Sequence, residues 1–380
     1  MTTPHGLKVS CRDCGKVSYL PSLQHKQKAV CPRCGHTLLT YRHNETQITL
    51  ALAFSAVVLL FLSLLFDFLT FKLNGQLHSL DLWSALAVLA ANKYLSLAII
   101  TGLATVILPA ILLIGVCWLM WARMTHHYSP YLRRVYNMVM LALPWSMAEI
   151  FLVGILVSLI KITSLADIDV GPSFYAYFGF TITMSSALFY FDASQTAYWV
   201  HGRKVPEEKP LDSTTASTSI QRTWALLLTA TLLYIPANIL PIMTTSIFGR
   251  SEPSTIIGGV IALWEMGSYP IAIIILIASV VVPVAKILIL AWLNLSVQSG
   301  MLNNPQVRIK YFRLVEWIGR WSMIDVFVVA ILVALIQLGN TLSIYPGPAA
   351  LAFCAVVFVT MLAAITFDAR MIWQNRKSVV

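Results

Sequence analysis

Charge is scarce in this sequence. Only 11% of its 380 residues are Asp, Glu, Lys or Arg, against about 25% in a soluble domain. So few charges cannot cover a water-facing surface, and with 58% hydrophobic residues the chain must take lipid as its main solvent. Familiar catalytic signatures are missing as well. There is no GxxxxGKS or GxxxxGKT stretch, so no P-loop hydrolyses nucleotide here. No nucleophilic-serine or HExxH motif occurs, and no S4-like run of arginines. None of the eight histidines falls in an apolar segment long enough to span a membrane, which argues against bis-histidine haem. An enzyme is not expected. The first 45 residues are polar and carry cysteines, so no cleavable signal peptide is expected. The net charge of +10 needs no nucleic acid, because the positive-inside bias of membrane proteins accounts for it.

What is present is a series of apolar runs. A spanning helix needs ~20 apolar residues. Eight segments qualify: 48–70, 95–121, 138–162, 174–198, 223–243, 269–295, 318–338 and 349–366. Two shorter ones, 80–92 and 254–267, with Trp83 and Trp264, read as interfacial or re-entrant helices or as packed loops. With these spans, 21 of the 26 basic residues fall on one side. Only Lys72, Lys93, Lys161 and Arg250 fall on the other, and Lys286 lies within a span. That imbalance places both termini in the cytoplasm.

The chain repeats itself. WSMAEIFLVGILVSLIKI, from Trp145, aligns without gaps to WSMIDVFVVAILVALIQL, from Trp321, with 10 identities in 18 positions at an offset of 176. The same offset pairs Gly171-Pro172 with Gly347-Pro348 and Phe191-Asp192-Ala193 with Phe367-Asp368-Ala369, while Pro109 and Pro283 pair at 174. Four spans per copy make the repeats parallel, not inverted. The expected fold is an all-α polytopic membrane protein of about eight helices. Its parts are an N-terminal metal ribbon (1–45), a first four-helix repeat (46–200), a cytoplasmic linker (201–221), a second four-helix repeat (222–372) and a tail (373–380).

Four of the six cysteines open the chain as Cys11-Arg-Asp-Cys14-Gly15 and Cys31-Pro-Arg-Cys34-Gly35, with 16 residues between the pairs. Two intervening residues let a tight turn aim both sulfurs at one ion, and the following glycine admits a positive φ. Four thiolates satisfy tetrahedral zinc completely and leave no open coordination site, so the expected ion is one structural zinc. A redox dithiol pair or iron is the alternative. Cys117 and Cys354 sit alone in apolar segments and read as packing residues.

Ionisable groups at membrane depth are costly and point to function. Lys286 lies in the sixth span and Asp325 early in the seventh, and each would neutralise the other. Ser279 lies seven residues before Lys286, and Ser322 three before Asp325, on shared helix faces. In the first copy Ser146 and Glu149 hold the places of Ser322 and Asp325, but no lysine matches Lys286. Two readings stand: a network for gated or proton-coupled movement, and a static interhelical pair. Asp192 and Asp368, at helix ends, read as solvated or cap-like. Pro236-Ala-Asn-Ile-Leu-Pro241 predicts a bent or interrupted fifth span, as a gate or a simple kink.

The cysteine ribbon, the duplicated Trp-Ser-Met motif, PANILPIM, STIIGGVIALWEMGSYPIA and TFDAR together resemble the paraquat-inducible protein A family over nearly the whole length. The resemblance implies a bacterial inner-membrane protein working with a membrane-anchored partner whose MCE domains form a tunnel toward the outer membrane. It implies phospholipid exchange with that tunnel, in support of envelope integrity. A non-transporting anchor or assembly factor for the MCE partner is the alternative. It also carries the polar-network idea onto Lys286, Asp325, Ser279, Ser322 and Glu149. Family members often bear a second four-cysteine ribbon between the repeats, and here 201–221 contains no cysteine.

Overall fold

The computed structural model describes residues 7–373 apart from 22, 25, 43, 74–75, 92–94, 163–166, 202–212, 248–249, 266, 268, 301–303, 325–326, 329 and 332–341. Two small hairpins come first. Strands β1 (Leu7–Ser10) and β2 (Val17–Leu20) pair antiparallel, as do β3 (Lys28–Val30) and β4 (Thr37–Thr40). A mostly helical body follows.

Its first half runs α1 (Glu45–Ser63), β5 (Leu69–Leu73), β6 (Gln76–Leu80), α2 (Leu82–Ala91), α3 (Leu95–Gly102), a π-helical turn at Leu103–Ile107, α4 (Leu108–Met124), α5 (Tyr131–Ala142), α6 (Ala148–Ile162), β7 (Asp167–Val170), α7 (Pro172–Tyr190) and α8 (Ala193–Val200). Among the described residues the order recurs, α6 excepted, with the elements from the first strand onward starting 174 to 176 residues on. It runs α9 (Ser213–Ile239), β8 (Met243–Ile247), β9 (Arg250–Ser254), α10 (Ile256–Glu265), α11 (Tyr269–Leu276), a π turn at Ile277–Val281, α12 (Val282–Gln298), α13 (Pro305–Trp321), β10 (Leu342–Pro346) and α14 (Pro348–Thr366).

Among the described residues, five helical stretches are long and apolar enough to cross a membrane: Glu45–Ser63, Ala98–Met124, Tyr131–Leu159, Ala272–Gln298 and Pro348–Thr366. Within the expected span 318–338, residues 325–326, 329 and 332–338 lie outside the described residues. Large side chains such as Phe54, Phe61, Trp118, Leu232 and Leu288 are exposed on the outer helix faces. An apolar surface of this kind suits hydrocarbon, not water.

The fold is not purely helical. Each half carries a three-stranded antiparallel sheet, ordered β6-β5-β7 in the first and β9-β8-β10 in the second. The expected span 48–70 therefore ends early. α1 stops at Ser63, and Leu69 and Thr70 already belong to a strand that pairs Leu69 with Val170. Hydropathy alone cannot separate an apolar strand from a helix end. The expected span 138–162 is also interrupted. A 3-10 turn, Leu143–Trp145, follows α5, and Ser146 is extended, with φ −77° and ψ 109°.

The duplicated Gly-Pro pairs close these sheets onto the helices. Gly171 donates its N–H to Phe68 O at 3.1 Å, and Gly347 donates to Ile242 O at 2.8 Å. A Cβ on either glycine would overlap a backbone carbonyl oxygen, that of Asp67 or of Pro241. Proline then starts the helix, where its missing N–H costs nothing. One buried apolar cluster runs through both halves, including Leu112, Leu119 and Tyr177 from the first and Phe327, Phe353 and Val357 from the second. The two motif copies cross there. Phe151 meets Phe327 edge-on at 5.5 Å, and Gly154 leaves the room that the Phe327 side chain occupies. Trp145 lies on Phe358 of α14 at 4.6 Å.

Substituting Gly347→Ala should therefore destabilise the protein by about 2 kcal/mol, the usual scale of overpacking against an immovable group. Thermal unfolding in detergent checks this: the midpoint should fall by several degrees, and an unchanged midpoint would contradict the close approach.

Candidate functional sites: a tetracysteine centre and buried polar groups

The two hairpins present their CxxC turns to each other. In each turn the glycine N–H returns to the first cysteine: Gly15 to Cys11 O at 2.8 Å and Gly35 to Cys31 O at 2.9 Å. Both glycines take the left-handed conformation that such a turn requires, with φ +67° and +70°. The four sulfurs of Cys11, Cys14, Cys31 and Cys34 all lie within 4.8 Å of one another. Cys11 and Cys34 approach to 3.4 Å and Cys14 and Cys31 to 3.5 Å, with no disulfide among them. Four sulfurs about 2.3 Å from one tetrahedral ion would be separated by about 3.8 Å, so the donor set fits a metal. Burial raises the Cys14 thiol to about 11 and Cys11 further still. At Cys31 burial acts in the same direction, but the N–H groups of Arg33 and Cys34 favour the thiolate and bring it down to about 7. A bound cation would supply the charge that makes all four thiolates stable together.

The intramembrane groups fall into two places. Lys286 is 1% exposed, and its Nζ has no hydrogen-bond partner among the described residues. It lies one turn after the π turn and Pro283, in α12. Its end rests against α13, where a Cβ on Gly319 would stand 4.0 Å from Nζ. Three residues on is Ser322, fully buried, whose Oγ also has no hydrogen-bond partner among the described residues. Ser279 is buried within the π turn itself. Asp325 lies outside the described residues.

Glu149 and Ser146 are held elsewhere. Ser185 of α7 donates its hydroxyl to the Glu149 carboxylate, and Ser146 Oγ faces Met184 Sδ at 3.8 Å. The break that exposes Ser146 is secured by the first π turn: Met147 N–H donates to Ala104 O at 3.3 Å. A π turn leaves carbonyls free for such bonds and commonly marks a functional position. In α9, which contains Pro236, Asn238 Nδ2 donates to Tyr234 O at 2.9 Å.

A further charged group was not singled out in the sequence. Glu45, 4% exposed at the start of α1, faces Arg123 at 3.8 Å and accepts the N–H of Asp192 at 3.3 Å. Arg123 also donates to Gln195 Oε1 at 2.9 Å. Asp192 caps α8, accepting from Ser194 and Gln195 N–H. The one available signal was an acid at the head of a long apolar helix, which reads equally as an ordinary helix start.

The family model described as Paraquat-inducible protein A matches residues 46–201 and 220–377. The Intermembrane transport protein PqiA of Escherichia coli (strain K12) is 36% identical, over 97% of this chain and 96% of its own length. A Probable intermembrane transport protein of Haemophilus influenzae is 27% identical, over 98% of this chain and 97% of its own length. The Lipophilic envelope-spanning tunnel protein A of Escherichia coli (strain K12) is 27% identical, over 99% and 93%. No solved structure matches the chain.

Each of Cys11→Ser, Cys14→Ser, Cys31→Ser and Cys34→Ser should lose the bound metal, while Cys117→Ser and Cys354→Ser should keep it. Elemental analysis of the purified proteins reads this out, and full metal content in any of the first four would exclude that sulfur as a ligand.

Proposed function

The chain belongs to the paraquat-inducible protein A family, and from that premise we propose that it is the inner-membrane component of a lipid transport system. It exchanges phospholipid between the inner membrane and a periplasmic MCE-domain tunnel partner, and so supports envelope integrity. Eight spans form two parallel four-helix repeats, both termini lie in the cytoplasm, and one structural zinc holds the four cysteines. The protein moves lipid without catalysing a reaction.

The observation that carries this reading is Lys286. An ammonium buried in a span, with no hydrogen-bond partner among the described residues, is expensive to keep in hydrocarbon. It sits at a helix junction, with Ser279 and Ser322 on the adjoining segments and Asp325 three residues beyond Ser322. Asp325, water or a lipid headgroup can supply that partner. The relatives' names, intermembrane transport and lipophilic envelope-spanning tunnel, support transport of a lipid-like cargo. Helix movement coupled to a change of partner or proton at Lys286 and Asp325 would then open and close the path.

Lys286→Ala and Asp325→Ala proteins, reconstituted with the partner, should exchange fluorescent phospholipid at least tenfold more slowly than the parent, the effect of a loss of ~1.4 kcal/mol in the coupling step. Parental rates with both variants would remove the coupling role. Normal lipid loading of the tunnel in both variants, lost only when the whole chain is absent, would favour an anchor.

A further inference from the structure

The surface of the tetracysteine module is occupied by the chain's own body, and both halves share it. From the first half, Asp192 Oδ2 accepts the Thr40 N–H at 3.1 Å. Arg42 donates to Phe189 O at 2.8 Å and lies over the Phe189 ring at 4.1 Å. From the second half, Arg313 of α13 bonds to Asp13 Oδ2 through Nε at 2.8 Å and Nη2 at 2.6 Å. It also donates to the carbonyl of Cys34 at 3.2 Å. Arg33 donates to Trp373 O at 3.1 Å and stacks over that ring at 4.9 Å.

The first CxxC turn divides its two middle residues between the halves. Arg12 reaches Tyr136 Oη of α5 at 3.4 Å, while its neighbour Asp13 holds Arg313. The module's own core is small: eight buried residues, of which three are ligand cysteines, with Tyr198 of the first half and Trp373 of the second packed against it. A module with so little core folds with its metal. The turn that gives Arg12 to α5 and Asp13 to α13 would therefore depend on the ion.

We propose that the tetracysteine module is an intramolecular clasp. With metal bound, it ties the near end of the first half to that of the second, and loss of the metal releases both grips at once. The segment between the halves carries no cysteine, and none is needed, because α13 and Trp373 reach across to the single N-terminal module. The clasp is independent of what the protein transports. Arg313 is its main positioning residue, since it bridges the Asp13 carboxylate and a ligand cysteine's backbone. A carboxylate–guanidinium contact of this kind is charge-assisted and geometrically selective.

Hydrogen exchange by mass spectrometry on the full chain in detergent tests this, with metal content followed in parallel. Chelation should accelerate exchange roughly tenfold, the factor of a local opening made easier by a lost strong contact, in Ala193–Val200 and in Ala369–Trp373 alike. Arg313→Ala should keep its metal yet accelerate exchange at Ala369–Trp373. Acceleration confined to residues 7–41 after chelation, or reaching only one half, would overturn the clasp. Should Arg313→Ala not accumulate, Arg33→Ala, on an exposed side chain, should accelerate exchange at Ala369–Trp373 with the metal retained. No change there would overturn the grip on the second half.

Discussion

A backbone N–H or carbonyl freed inside a bilayer has no water to bond to, so each break in a helix must find its partner within the protein. That constraint organises this chain. The first Trp-Ser-Met motif interrupts a helix, and Met147 gives its freed N–H to Ala104 O in a π turn of a neighbouring helix. Each irregularity meets the need of the other, so neither can be removed alone. The Gly-Pro pairs follow the same rule at the sheet end, where a glycine admits a carbonyl that any side chain would displace.

Side-chain charge obeys the constraint less completely, and function enters there. Glu149 has Ser185, and Glu45 has Arg123 and the Asp192 N–H. Lys286 is buried more fully than either carboxylate and has no hydrogen-bond partner among the described residues. In the proposed mechanism this ammonium, beside a helix junction, couples a change of partner or proton to helix movement. The metal module adds a second level of control at the far end of the helices, where Arg313 joins the cysteine turns to α13.

How much of this was legible in the sequence depended on how local each feature is. The clustering of the four cysteines was legible, because ligand spacing and the glycine after each pair are local requirements. The repetition of Gly171 and Gly347 was visible, but its reason was not, since the obstructing carbonyls belong to residues about a hundred positions earlier. Neither sheet was anticipated: β5 pairs with β7, and β8 with β10, across most of a half. The break at Ser146 was read as continuous helix because hydropathy is blind to backbone conformation. Lys286 and Ser322 are both buried, while in the first copy, where no lysine matches Lys286, Glu149 and Ser146 face α7. The docking of the cysteine turns on both halves depends on contacts such as Asp13–Arg313, 300 residues apart, which no motif announces.

The account turns on movement between the two crossing motif helices. A covalent lock between Gly154 and Phe327, where a Cβ on Gly154 would stand 3.2 Å from the Phe327 Cβ, tests it most directly. With cysteines at those two positions, and the other two apolar-segment cysteines replaced, closing the disulfide should arrest phospholipid exchange, and reducing it should restore the rate. Exchange at the unlocked rate with the bond fully formed would contradict the account.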